Sequence, residues 1–113
     1  VRKLEKCNRA SLPRARCLPF SNFVGPSGAV IGFHALRWLL GTVGLGGEET
    51  VLVVGGNPQD ARTVGRLLYV AGQRQVNVLE TAYRAAAGAP PGEDRSLSRE
   101  VVFTAAMRAS ADF

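Results

Sequence analysis

The reading of the fold turns on Thr50-Val51-Leu52-Val53-Val54-Gly55-Gly56-Asn57-Pro58-Gln59-Asp60. Residues 51–54 are an apolar run of valine and leucine, with Glu48 and Glu49 before it and two glycines after it. A run this short, rich in β-branched residues and bounded by turn formers, reads as a strand covered on both faces. Residues 57–60 then read as a loop whose last residue, Asp60, caps a helix with Ala61, Val64, Leu67, Leu68 and Ala71 as its buried stripe. Gly72 ends that helix, and residues 75–80 alternate, with Val76 and Val78 inward and Gln75 and Asn77 outward.

Upstream, Ser27 is placed to cap a helix over 28–43, whose apolar positions include Val30, Ile31, Ala35, Leu36, Trp38, Leu39 and Leu40; Gly44, Gly46 and Gly47 stop it. Downstream, residues 81–87 read as a short helix, 88–98 as a loop of Gly, Pro and charge, and 100–106 as a third strand. Strands alternating with helices imply crossovers, because a parallel neighbour can be reached in no other way. The expectation is an α/β fold: a small three-layer Rossmann-like unit with a parallel sheet of about three strands. A sheet that small leaves edges to cover, which predicts a protein partner or self-association.

The charge is unevenly placed. The chain of 113 residues carries a net +5, all of it accounted for by Arg2, Lys3, Lys6, Arg9, Arg14 and Arg16 against Glu5. Residues 1–27 therefore read as a basic, irregular N-terminal arm and 28–113 as the α/β domain, with nucleic acid or an anionic surface reached only through residues 2–16. Cys7 and Cys17 lie ten apart with no histidine nearby, which is no zinc spacing; the expectation is two reduced thiols in a cytoplasmic protein, or in an organelle matrix if the basic arm is a targeting remnant. His34 stands alone, so no metal is expected. Residues 28–47 are long enough to span a bilayer, but Arg37 and His34 near the middle and six glycines argue against a membrane span.

In an open parallel sheet, ligands bind outside the carboxyl ends of the strands, which directs attention to residues 55–60, to Glu80 and Thr81, and to residues 104–107. A strand ending in Gly55-Gly56, a helix at once, and an acid about 25 residues on is the pattern of a dinucleotide site. On these residues, "IGFHALRWLLGTVGLGGEETVLVVGG", "VNVLETAYRAA" and "EVVFTAA" resemble the NAD(P)-binding segment of the shikimate dehydrogenase and methylenetetrahydrofolate dehydrogenase families. The resemblance implies that the turn at Gly55, Gly56 and Asn57 faces a pyrophosphate, with Glu80 on ribose hydroxyls and Thr81 beside it, favouring NAD over NADP. The sequence departs from that pattern where Asp60 takes the place of the last glycine, and its only lysines are Lys3 and Lys6, so the catalytic lysine of those enzymes has no counterpart.

A second resemblance uses the same residues. "VLVVGGNPQDARTVGRLLYVAG" is similar to the opening strand and helix of response-regulator receiver domains, but Gly55-Gly56 replaces the acidic pair and Thr104 or an alanine the phosphoacceptor. Without those carboxylates a hard cation has no ligands. The functional expectation is a degenerate or partial Rossmann-like module that binds an NAD-type nucleotide and is not catalytic alone. The alternative is a receiver-like pseudo-response-regulator or accessory subunit that acts through protein contacts without phosphorylation. No Walker lysine follows the glycines, and "GPSGA" around Ser27 is no nucleophile elbow.

Overall fold

In the computed structural model, which describes residues 1–25 and 27–108, the chain runs α1 (Leu4–Arg9), β1 (Arg16–Cys17), a 3-10 turn (Phe20–Asn22), α2 (Phe33–Gly41), β2 (Thr50–Val53), α3 (Pro58–Ala71), β3 (Gln75–Val78) and β4 (Glu93–Asp94). The valine-rich run forms β2, and β3 lies beside it in parallel with Val51 opposite Val76 and Val53 opposite Val78. The crossover between them is α3. Asn57 caps it, accepting the Gln59 amide on Oδ1 at 2.9 Å, and Pro58 opens its first turn. Asp60, expected as the cap, sits inside the first turn instead. Gly72 closes the helix at φ 113°, a left-handed conformation that favours glycine.

Ala61, Val64, Leu68 and Ala71 of α3 are buried together with Leu36, Leu39 and Leu40 of α2, and Val53, Phe23 and Phe103 join them in one core. Each large side chain removed from water in this way stabilises the fold by about 1.5–3 kcal/mol. α2 starts at Phe33, later than the helix expected over 28–43. The reason is local: Gly25 donates to the Ala29 carbonyl at 2.7 Å and Val24 bridges Val30, so Ser27 stands in a turn rather than at a cap. His34 and Trp38 face outward, while the leucines of α2 face the core.

The described residues form two parallel sheets of two strands each, not one sheet of about three. Residues 100–106 run without a ladder past the glycine turns that precede β2 and β3: Glu100 donates to Gly41 at 2.9 Å, Thr104 to Gly46 at 3.1 Å and Arg108 to Val70 at 2.8 Å. Phe103 of this segment is buried in the core, fixed by Arg37, whose guanidinium donates to its carbonyl, and Ala105 packs against that core; Val101 and Val102 stay exposed. Residues 81–87 form no helix either. The Leu79 and Tyr83 amides are spent on the carbonyls of Val53 and Gly55, at 2.9 and 2.8 Å, so the chain continues along β2 instead of coiling.

The basic lead-in, expected to be irregular, carries α1 and β1 and is fastened to the body. β1 pairs in parallel with β4, Arg16 opposite Glu93 and Cys17 opposite Asp94. Cys7 and Cys17 form a disulfide, with their Cα atoms 5.8 Å apart, where free thiols were expected. The spacing alone could not show that the chain reverses between them, through a turn in which Ala15 donates to Leu12 and Arg14 adopts φ 63°. The radius of gyration, 13.3 Å, is about that of a single folded body of this length. Among the described residues no helix is long and apolar enough to cross a membrane.

Candidate functional site

Where β2 ends, Val54, Gly55 and Gly56 turn the chain toward α3. A Cβ on Gly55 would lie 2.9 Å from the Val1 carbonyl oxygen, 3.1 Å from that of Asn57 and 3.2 Å from the Ala61 methyl. Glycine is therefore required there by close approach. Gly56 has nothing within 4 Å of such a position and faces open space. The first residue of the chain crosses above this turn, its nitrogen donating to the Val54 carbonyl at 2.7 Å. From the other side, the Tyr83 amide ties residues 82–85 to Gly55.

These three segments enclose a cleft of about 850 Å³ lined by Gly56, Asn57, Asp60, Tyr83 and the basic residues Arg2, Lys3, Lys6 and Arg84. Arg2 is held in place: its guanidinium donates to the Ala10 carbonyl at 2.6 Å and lies 5.1 Å from the centre of the Tyr83 ring. Lys3, Lys6 and Arg84 are exposed and form no ion pair among the described residues. Asp60 is the single acid of the lining. The cleft thus joins an excess of positive charge to the start of a helix of 14 residues, whose dipole adds to it. The lead-in reaches this place through Val1, which donates to Val54, and through the Cys7 carbonyl, which accepts from the Gly92 amide, while the disulfide joins α1, the helix of Lys6, to β1.

Of the residues singled out from the sequence, Gly56 and Asn57 line the cleft, and Gly55 lies beneath it. Glu80 does not. Its side chain, 75% exposed, stands 3.8 Å from Arg62 and borders a separate shallow groove with Tyr69, Arg74 and Val76. Thr81 is exposed and lines neither. The sequence reading missed Arg2, Lys3, Lys6, Tyr83 and Arg84, because it assigned the first three to an arm. The pair Cys7 and Cys17, read as a bond, would have argued for a folded lead-in and so pointed to Arg2, Lys3 and Lys6; Tyr83 and Arg84 carried no such signal.

A second glycine turn, before β2, also gathers amides around a negative charge, but the charge is the chain's own. The Glu49 carboxylate accepts from the Gly46 and Gly47 amides at 3.0 and 3.1 Å and from the Gln73 side chain at 3.3 Å. Burial opposes its ionisation, yet these donors and its own amide outweigh that effect and hold the carboxyl below its usual range. Among the described residues no three His, Cys, Asp or Glu side chains gather in a way that could hold a metal ion. Comparison with protein-family models, with curated proteins and with solved structures finds nothing that matches this chain.

Proposed function

We propose that this chain is a Rossmann-like module that binds a phosphate-bearing nucleotide of the NAD type in the basic cleft, without being a catalyst by itself. The observation that carries the reading is the position of the cleft, at the carboxyl end of a parallel strand pair, with Lys3, Lys6 and Arg84 in no ion pair among the described residues. Phosphate oxygens are charge-assisted acceptors for such groups, and a cleft of this size suits a nucleotide. Tyr83 offers a ring face at the same wall. Asp60 lies against the first turn of α3 and competes there with an incoming anion, so the basic side chains rather than the helix amides carry the phosphate. Glu80 stands outside the cleft, which withdraws support from a preference for NAD over NADP.

The test is titration of the full chain with NAD and NADP, followed by calorimetry and by the amide resonance of Gly56. Binding that weakens with salt and falls on the double change Lys6→Gln with Arg84→Gln supports the reading. No heat and no resonance shift at millimolar nucleotide removes it.

The alternative, an accessory subunit acting through protein contacts, draws on a different observation. Leu97, Val102 and Trp38 are 97, 55 and 41% exposed, and among the described residues β2 has a strand on one side only. Light scattering on the purified chain distinguishes the two: a monomer at high concentration counts against self-association. The disulfide itself favours an oxidising compartment over the cytoplasm.

A further inference from the structure

A second cavity, of about 420 Å³, lies beside β2 and includes no residue of β3 in its lining. Its walls are aliphatic: Leu18, Leu40, Val43, Val53, Val64 and Leu68, every one of them buried. Its exposed lining is Leu12, Pro13, Arg14, Thr50 and Leu52, which mark the mouth. Two cations belong to the lining as well. Arg14 has no acidic partner among the described residues. Arg16 uses its terminal nitrogens on Glu100 and on the carbonyls of Thr42 and Asp94, and its Nε finds no acceptor among the described residues.

The lining therefore asks for two kinds of partner. Aliphatic side chains favour an apolar guest over water, and a guanidinium favours an anionic acceptor. An alkyl chain ending in a carboxylate answers both at once. We propose that this cavity binds an aliphatic carboxylate of medium chain length, its alkyl chain between the leucines and valines of α2, α3 and β2 and its carboxylate held by Arg14 and the Nε of Arg16. This site is separate from the basic cleft and does not depend on the nucleotide reading.

The experiment is titration of the full chain with decanoate, octanoate and decanol below their aggregation limits, read by calorimetry and by amide resonances. Decanoate is expected to bind at least roughly tenfold more tightly than decanol, since a charge-assisted hydrogen bond separates them. It should exceed octanoate by roughly fourfold for each added methylene. The resonances of Val43, Val53 and Leu68 should move while that of Gly56 stays. Arg14→Asn keeps a residue that tolerates the left-handed backbone at this position. It should weaken decanoate roughly tenfold and leave decanol unchanged. Equal affinity for acid and alcohol, shifts confined to Gly56 and Tyr83, collapse of the spectrum on adding decanoate, or no binding would each overturn the proposal.

Discussion

Arg16 and Glu100, 84 positions apart, meet in a two-pronged ion pair, Nη1 to Oε1 at 3.2 Å with Nη2 on Oε2. Ser96 adds a hydroxyl donor to the same carboxylate, and Arg16 also reaches the carbonyls of Thr42 and Asp94. One guanidinium therefore joins the basic lead-in, the end of α2 and the C-terminal segment, three parts of the chain that share no continuous strand.

That pair makes stability depend on acidity. The hydrogen bond from Arg16, then that from Ser96, lower the Glu100 carboxyl from 4.5 to about 2. A carboxyl lowered on folding contributes stability above its unfolded value, and the contribution fades as pH falls from 4.5 toward 2. Urea unfolding as a function of pH is expected to show this loss. Glu100→Gln should lower stability at neutral pH and converge on the parent protein near the bottom of that window.

The disulfide should matter at every pH. Closing a loop of about this length restricts the unfolded chain and stabilises the fold by about 2–3 kcal/mol. Thermal melts of the double change Cys7→Ser with Cys17→Ser are expected to show that loss. Because the bond joins α1, which carries Lys6, to β1, the same protein should also bind nucleotide less tightly than the parent.

Gly72 is a sharper test of backbone geometry. It adopts φ 113°, and a Cβ there would collide with the Ala106 carbonyl oxygen and crowd the Ala105 methyl at 2.9 Å. Gly72→Ala is expected to cost about 1–3 kcal/mol in denaturant melts, more than alanine normally costs at an exposed turn. Gly56→Ala, with open space around it, should cost far less, and comparable losses would contradict the geometry.

Phe103 tests whether the C-terminal segment belongs to the core. Its side chain is 2% exposed although its neighbours Val101 and Val102 lie on the surface. Phe103→Ala is expected to destabilise the protein by about 3–5 kcal/mol, measured by denaturant unfolding. A loss below about 1 kcal/mol would mean that residues 100–108 detach without disturbing the rest.

How much of this was legible depended on the range of the forces involved. β2, α3 and β3 were read in order because each has its own short-range code: a β-branched run, a helical stripe ended by Gly72, and an alternation of Val76 and Val78 with polar residues. Asn57 rather than Asp60 became the cap because Pro58 suits the first turn of a helix and so moves its start upstream. The segment 100–106 misled for the opposite reason. Its apolar residues satisfy a strand pattern, but the hydrogen-bond partners available to it are carbonyls of glycine turns rather than a strand edge.

The candidate site divides along the same line. Gly55, Gly56 and Asn57 were legible because they follow directly from the end of a strand, whereas Tyr83 and Arg84 reach the cleft only through the amide that Tyr83 gives to Gly55. Glu80 was expected in the cleft on spacing alone, and it points to Arg62 on the outside of α3.

By itself, the sequence determined a parallel strand–helix–strand unit from Thr50 to Val78, because local backbone preference and the periodicity of apolar residues suffice to specify it. Only the tertiary structure decided that the first 25 residues belong to the same body, that Cys7 is bonded to Cys17, and that Arg2, Lys3 and Lys6 line one cleft with Gly56. Those outcomes rest on contacts between residues far apart in the chain, such as Arg16 with Glu100. The energy of such contacts depends on which surfaces the core leaves facing one another, and no pattern within a short window of sequence encodes that.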